Sequence, residues 1–309
     1  MAPAPAGAVA RGSAVYIGRM RISIVTPSLN QARFLEKCLR SVDAQRGGNF
    51  EHMVFDGGST DASVDILRRW GATVRWVSQR DGGQSDAVNQ GFRAADGDIV
   101  GWLNSDDFYY PGAFEAVRAA FAADASLDAV YGQADHVDID GVAYERFPTE
   151  AWNPARLHAT CYICQPALFL RRRAIDRVGL LNANLHFCMD YEYWLRMARA
   201  GLVVREIPAK LAASRMYPAN KSMRSRIRMH AEINSMLRDQ LRATPERWLF
   251  NYGHAVAGQL TSRDRHRRVY GAFMALGALF AALRWNGKVA GSMLREIGTL
   301  VRRSLARAR

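Results

Sequence analysis

The chain has 309 residues, 49% of them hydrophobic, and a formal net charge of +13. That is enough apolar material for one large domain or two small ones, and it excludes a chain without a core. The charge is uneven: residues 210–309 hold 20 Lys and Arg against 5 Asp and Glu, a net of +15, which leaves −2 for residues 1–209. The first two-thirds therefore read as an acidic-to-neutral globular enzyme, and the last third as a basic appendage that seeks anionic lipid, phosphate-bearing substrate or nucleic acid.

Residues 1–18 are rich in Ala, Pro and Gly and read as a disordered tail. Residues 21–27 are a β-branched run closed by Pro27, a first strand. Ser28 to Gln31 follow, with Asn30 as the expected N-cap of a helix that buries Phe34, Leu35, Cys38, Leu39 and Val42. Residues 51–56 form a second strand ending in Asp56. Gly57 to Asp61 turn the chain into a helix carrying Val64, Ile66, Leu67 and Trp70. Residues 73–77 are a third strand, and Asp81 to Asp86 lead into a helix with Ala87, Val88 and Phe92. Residues 98–103 are a fourth, buried strand, which ends in the adjacent carboxylates Asp106 and Asp107 ahead of Pro111. Pro111 suits the first turn of a helix reaching Ala123.

Four strand–loop–helix units in about 100 residues imply a mostly parallel α/β sheet flanked by helices. In such sheets ligands bind beyond the carboxyl ends of the strands. Asn30, Asp56, Asp81, Asp86, Asp106 and Asp107 all follow strands, so they converge on one edge. Paired acids at a strand tip offer hard oxygen ligands to Mg²⁺ or Mn²⁺ shared with a diphosphate. Asp-Asp before Pro also reads as a simple turn and helix cap. The glycines at 57 and 58 belong to neither G-x-G-x-x-G nor a Walker motif, so no dinucleotide or P-loop site is indicated.

Beyond Asp107, residues 129–131, 134–139 and 142–145 read as hairpin-rich strands, with Asp140 and Gly141 in a turn. Residues 165–170 are another apolar strand. Residues 191–199 form a helix stopped by Gly201, with Asp190 at its N-terminus either as a cap or as a general base. Cys161 and Cys164 form a C-x-x-C without a second pair at zinc spacing, so the four cysteines read as free core thiols in a reducing cytosol. From residue 216 the chain is helical and basic. The apolar run 269–283, bounded by Arg268 and Arg284, is shorter than the roughly 20 residues a spanning helix needs, and reads as a buried hairpin helix or an in-plane interfacial one. Residues 294–309 complete a basic amphipathic end.

The order of motifs (Thr26-Pro-Ser-Leu-Asn30, Asp56-Gly-Gly-Ser-Thr-Asp61, Asp81-Gly-Gly-Gln-Ser-Asp86, Asn104-Ser-Asp-Asp107 and Asp190-Tyr-Glu-Tyr-Trp-Leu-Arg196) resembles the family 2 glycosyltransferases of the GT-A fold. The resemblance implies a GT-A domain over residues 19–215 with a Rossmann-like sheet, followed by a basic helical extension, 216–309. It implies a metal-dependent, inverting hexosyltransferase that moves a sugar from a nucleoside diphosphate sugar to a saccharide or lipid-linked acceptor, in envelope or exopolysaccharide assembly. Thr26, Pro27, Ser28, Asn30 and Asp56 would hold the nucleotide, and Asp81 and Asp86 would line the donor pocket. Asp106 would meet ribose or sugar, and Asp107 would bind Mn²⁺ or Mg²⁺. Asp190 would be the base, with Glu192 the second candidate. Two departures stand out: Met189 replaces a common acid, and the segment from Arg215 to Pro218 offers no His as a further metal ligand.

The resemblance and the basic tail together place the protein in the cytoplasm, peripheral at the inner membrane face through residues 263–309, with no nucleic-acid partner. Two other classes remain open on sequence. A sugar-1-phosphate nucleotidyltransferase would carry a Gly-rich, Arg/Lys-bearing loop after the first strand, which is absent here. A nucleic-acid binder would interleave aromatics with its basic residues, whereas this tail alternates Arg with aliphatic residues.

Overall fold

The computed structural model describes residues 20–45 and 48–306, with side chains as far as residue 300. The N-terminal 18 residues and the basic side chains from 301 onward lie outside the described residues. The chain divides into two compact units. One comprises Met1–Pro154, Tyr162–Asn184 and Met189–Tyr217, and the other Ala155–Cys161, Leu185–Cys188 and Pro218–Arg309.

The first unit begins with β1 (Ile22–Ser28), buried along its whole length. Burial on both faces requires helices above and below, and the sequence supplies them. Helix α1 (Ala32–Asp43) buries Phe34, Leu35, Cys38, Leu39 and Val42. There follow β2 (Phe50–Asp56), α2 (Ser63–Trp70), β3 (Arg75–Ser78), α3 (Gln84–Ala94) and β4 (Ile99–Trp102). These four strands are parallel, in the order β3-β2-β1-β4.

The chain then adds β5 (Phe108–Tyr109), α4 (Ala113–Ala123), β6 (Ala129–Val137), β7 (Ala143–Arg146), β8 (Leu168–Arg171), α5 (Arg172–Val178), α6 (Met189–Arg199) and β9 (Val204–Arg215). The sheet continues from β4 through β8, β6 and β9 to β5, with β7 paired to β6. The β4–β8, β6–β8 and β5–β9 pairs are antiparallel, and β6–β9 is parallel. Its apolar core includes Ile22, Ile24, Leu103, Phe114, Phe121, Val130 and Phe169.

Local differences from the sequence reading have local causes. Residues 129–131 and 134–139 belong largely to one strand, β6. Residues 165–170 divide into a single turn (Gln165–Ala167), set by Pro166, and β8. Helix α4 starts at Ala113, after Gly112 at φ +83° rather than at Pro111. Asn30 sits at φ +53° and does not cap α1, whose N-terminal flank is Gln31. Strand β9 escapes a periodicity search because Pro208 interrupts it and the β6–β9 register slips at Gly132/Gln133 and Gln133/Ala134.

Helix α3 lies hard against β1. A Cβ on Gly91 would overlap the Val25 side chain. Gly91→Ala is therefore expected to destabilise the protein by about 1–3 kcal/mol through overpacking, read as a lower urea midpoint at unchanged slope.

In the second unit, α7 (Arg226–Leu241), α8 (Glu246–Leu260), α9 (Arg267–Ala281) and α10 (Gly291–Ala306) bury Leu249, Phe250, Ala257, Met274, Ala278, Ala281, Trp285 and Met293. Helices α8 and α9 approach at backbone distance, since a Cβ on Gly277 would stand 3.0 Å from Gly253 Cα. Glu232 on α7 accepts the backbone N–H groups of His186 (2.9 Å), Phe187 (2.6 Å) and Cys188 (3.0 Å). Among the described residues no helix is long and apolar enough to cross a membrane. All four cysteines are free.

Candidate active site

Strands β1, β2 and β3 advance in one direction across the sheet, and β4 then returns to the other side of β1. The β1/β4 boundary is a topological switch point, the place beyond the strand ends where open α/β sheets hold ligands. Pairing of β1 with β4 stops at Val25↔Trp102, and Leu103 N donates to Val25 O at 3.0 Å. On the other side Gly57 N donates to Ser28 O at 2.8 Å. Alternation places Pro27 toward β4, past the last pair, so its missing N–H leaves no ladder bond unmade. Pro27 thus stands where the β1–β4 ladder ends.

The β1 and β2 ends form one wall. Ser28 stands beside Asp56 in register. Asp56 Oδ2 accepts from Gly58 N (3.2 Å), Ser59 N (2.8 Å) and Ser78 Oγ (2.7 Å), and Oδ1 accepts from Ser59 Oγ (2.5 Å). Asn30 clasps the same loop: its N–H donates to Ser59 Oγ (2.7 Å), and its Oδ1 accepts from Thr60 N (2.8 Å). Asp81 accepts from Gly83 N (2.8 Å), and Asp86 from Gly82 N (3.0 Å) and Gln90 Nε2 (3.1 Å). Burial raises the Asp81 pKa, and the Asp86 and Asp56 charges add to it.

Thr26 is buried, its Oγ1 2.9 Å from His52 Nε2. Burial alone pushes the His52 imidazole down to about 3. The unfolded chain, with an ordinary imidazole, takes up the proton first as pH falls, so native stability is full above about pH 6.5 and declines toward pH 3. The decline is expected to reach a few kcal/mol and to shrink in His52→Gln, measured as urea unfolding free energy against pH.

The β4 end carries the second wall. The Asn104 side chain uses both its groups: Oδ1 accepts from Gln84 Nε2 (2.9 Å) and Trp102 Nε1 (2.9 Å), while Nδ2 donates to Asp107 Oδ2 (3.2 Å) and Gln165 Oε1 (2.9 Å). Gln165 in turn donates to Trp102 O at 2.6 Å. Asp107 is buried, and its Oδ1 accepts the Arg215 backbone N–H at 2.8 Å. The Arg215 side chain donates to Asp106 O (2.8 Å), Asp138 O (3.1 Å) and Ile139 O (2.7 Å), with its guanidinium 4.7 Å from the Phe34 ring centre. Tyr217 donates to Asp106 Oδ2 at 3.2 Å, and its phenol, pushed up to about 12 by burial and by Asp106, stays protonated. Burial raises both acids, and Asp107 is driven well above the usual carboxylate range because the Asp106 charge adds to its burial. The Arg215 guanidinium offsets part of the charge of the two acids.

Helix α6 holds the remaining candidates. Asp190 lies in its first turn, with Oδ1 accepting from Tyr191 N at 2.7 Å. It is inside the helix rather than flanking it. Glu192 is buried and holds Arg196 Nε through both oxygens (2.9 and 3.0 Å). Arg196 continues to Val178 O (2.7 Å) and Leu180 O (2.8 Å), which fixes the connection after α5.

The family model described as "Glycosyl transferase family 2" matches residues 23–179. The chain belongs to glycosyl transferase family 2. A PGL/p-HBAD biosynthesis glycosyltransferase of Mycobacterium bovis is 31% identical over 201 residues, 62% of this chain and 75% of that protein. The O-antigen biosynthesis protein RfbC of Myxococcus xanthus is 30% identical over 203 residues, 64% of this chain but 16% of that protein. The chain likewise spans 27% of the chondroitin synthase of Escherichia coli. Among solved structures, S. aureus TarS 1-349 in complex with UDP-GlcNAc aligns at TM-score 0.59 and 15% identity, over 92% of this chain and 89% of that one. The mannosyltransferase PcManGT from Pyrobaculum calidifontis, in complex with GDP-Man and Mn²⁺, aligns at TM-score 0.58 and 19% identity, over 93% and 81%. The fold is GT-A.

Within this glycosyltransferase fold four residues of the acidic wall lay outside the sequence reading of the site: Asn104, Gln165, Arg215 and Tyr217. Gln165 had a signal, a lone amide heading an apolar run. Arg215 and Tyr217 had none, because only β9 carries them back to β5 and the acids.

Proposed function

We propose that this glycosyltransferase moves a sugar from a nucleoside diphosphate sugar to an acceptor hydroxyl with inversion at the anomeric carbon. The observation that carries the reading is buried Asp107 beside half-buried Asp106 at the switch point between β1 and β4. The nucleotide-sugar complexes of TarS and PcManGT support it.

The residues fit a divalent cation of the Mn²⁺ or Mg²⁺ type. Each Asp107 oxygen already accepts one N–H and keeps a free lone pair, and Asp106 lies beside it. Among the described residues no cluster of three His, Cys, Asp or Glu could hold a metal, so diphosphate oxygens would complete the coordination. When bound, the ion supplies charge neutralisation for the diphosphate leaving group.

The chain's own residues do the rest. Thr26 to Asn30 and Asp56 shape the nucleotide wall, and Asp56 Oδ1 keeps a lone pair for a base N–H or a ribose hydroxyl. Asp81 and Asp86 hold the loop that borders the sugar. Asp190 takes the acceptor proton as the acceptor oxygen bonds to the anomeric carbon, and the bond to diphosphate breaks on the opposite face. Glu192, committed to Arg196, fixes the helix that presents Asp190. The acceptor is a saccharide or lipid-linked saccharide, the class suggested by the names of the O-antigen, chondroitin and PGL/p-HBAD relatives. The anomeric configuration of the product, read by proton NMR, is expected to be opposite to that of the donor; retention would overturn direct displacement.

A further inference from the structure

Helix α9 has two apolar faces, and folding explains one of them. Met274, Gly277, Ala278 and Ala281 are buried in the helical unit, where Gly253 admits the α9 backbone. The other face shows Val269 at 49%, Leu276 at 63% and Phe280 at 55% exposure, with Leu283 at 59% in the turn that follows. At about 100° per residue, positions 269, 276 and 280 share an arc of about 40°. Single exposed apolar residues are ordinary, but a row of them along one helix marks an interaction face.

The charges around that row identify its partner. Arg263, Arg265, Arg267 and Arg268 precede it and Arg284 and Lys288 follow it, while Asp264 is the sole acid between residues 263 and 288. We propose that the exposed face of α9 docks on an anionic lipid bilayer. Val269, Leu276, Phe280 and Leu283 enter the boundary between headgroups and acyl chains, about 5–10 Å deep. The flanking Arg and Lys side chains lay their methylene stems along that boundary and reach lipid phosphates.

Other occupants fit less well. A nucleic acid would engage the basic residues but leave Leu276, Phe280 and Leu283 without a role. A second copy would bring two like-charged segments together. The helix is about 22 Å long at 15 residues, so it lies in the interface and does not span. The proposal goes beyond the sugar-transfer reading and stands without it.

The test is co-sedimentation of the full chain with phosphatidylcholine vesicles, with and without phosphatidylglycerol, for wild type and for a triple variant Leu276→Gln, Phe280→Gln, Leu283→Gln. All three positions are exposed, though the Phe280 ring also stacks on Tyr252 at 6.2 Å, so a melting temperature close to that of wild type confirms an intact fold. Wild type is expected to sediment with the anionic vesicles only, and the variant to bind about tenfold or more weakly. A fluorophore on Leu276→Cys is expected to shift to the blue when anionic vesicles are added. Equal binding by the triple variant, an unshifted label on bound protein, or no binding by wild type would overturn the proposal. So would a wild-type dimer that the triple variant converts to monomer, since the face would then be a self-interface.

Discussion

Asp190→Asn is expected to lower kcat by about 10²–10⁴-fold, the range for removing a general base, while donor affinity stays within about twofold. The substitution keeps the side-chain oxygen that accepts the Tyr191 N–H, so the first turn of α6 retains its geometry. It removes the lone pair that would take the acceptor proton. Pre-steady-state and equilibrium measurements separate the two quantities: single-turnover transfer reads the chemistry, and titration with a nonreacting donor analogue reads binding. A loss confined to donor affinity would remove Asp190 from the chemistry and make it part of the nucleotide wall.

Asp107→Asn is expected to remove metal-dependent donor binding, by about 2–5 kcal/mol, the range for deleting one partner of a buried charge interaction. Asp107 is the more deeply buried of the two acids and the more strongly raised. A carboxyl whose native pKa lies above its unfolded value favours the native state below the unfolded pKa and disfavours it as pH rises toward the native one. Without a cation, the charged form of Asp107 therefore works against folding. Asparagine keeps only one acceptor where the Asp107 oxygens take the Arg215 and Asn104 N–H groups, so the variant is expected to melt somewhat lower, and donor binding is compared on folded protein below that melting temperature. Mn²⁺ titration of the donor shift, by differential scanning fluorimetry, reads both halves.

The parallel half of the sheet was legible because its signals are local. The β-branched run ending at Pro27, the apolar stripe from Phe34 to Val42 and the Gly-rich loops after Asp56 and Asp81 each declare an element within a dozen residues. The topology rule then brings Asp56, Asp81 and Asp106 to one edge without any distance being known. The antiparallel half was less legible. Strand β9 contains Pro208 and pairs with β6 through two register slips, so its apolar residues keep no period of two. The backbone bond from Arg215 to Asp107 depends on β9 returning to β5, a long-range pairing that no local sequence signal carries. Asn104 stood in plain sight in the acidic motif, but its four-way use of one amide is a tertiary fact. The run 269–283 shows why hydropathy alone left two readings open: α9 is buried along Met274, Ala278 and Ala281 and exposed along Leu276 and Phe280, and period and composition are the same for both.

The central claim, a nucleoside diphosphate sugar held at the β1/β4 switch point, is tested most directly by melting the full chain with a panel of nucleoside diphosphates and their sugars, with and without Mn²⁺. A ligand that binds only the native state adds about 2.7 kcal/mol at 100 times its Kd. The expected result is a rise in melting temperature for one base family, larger with Mn²⁺ and absent in Asp107→Asn. A melting temperature that no nucleoside diphosphate moves, with or without the metal, would contradict it.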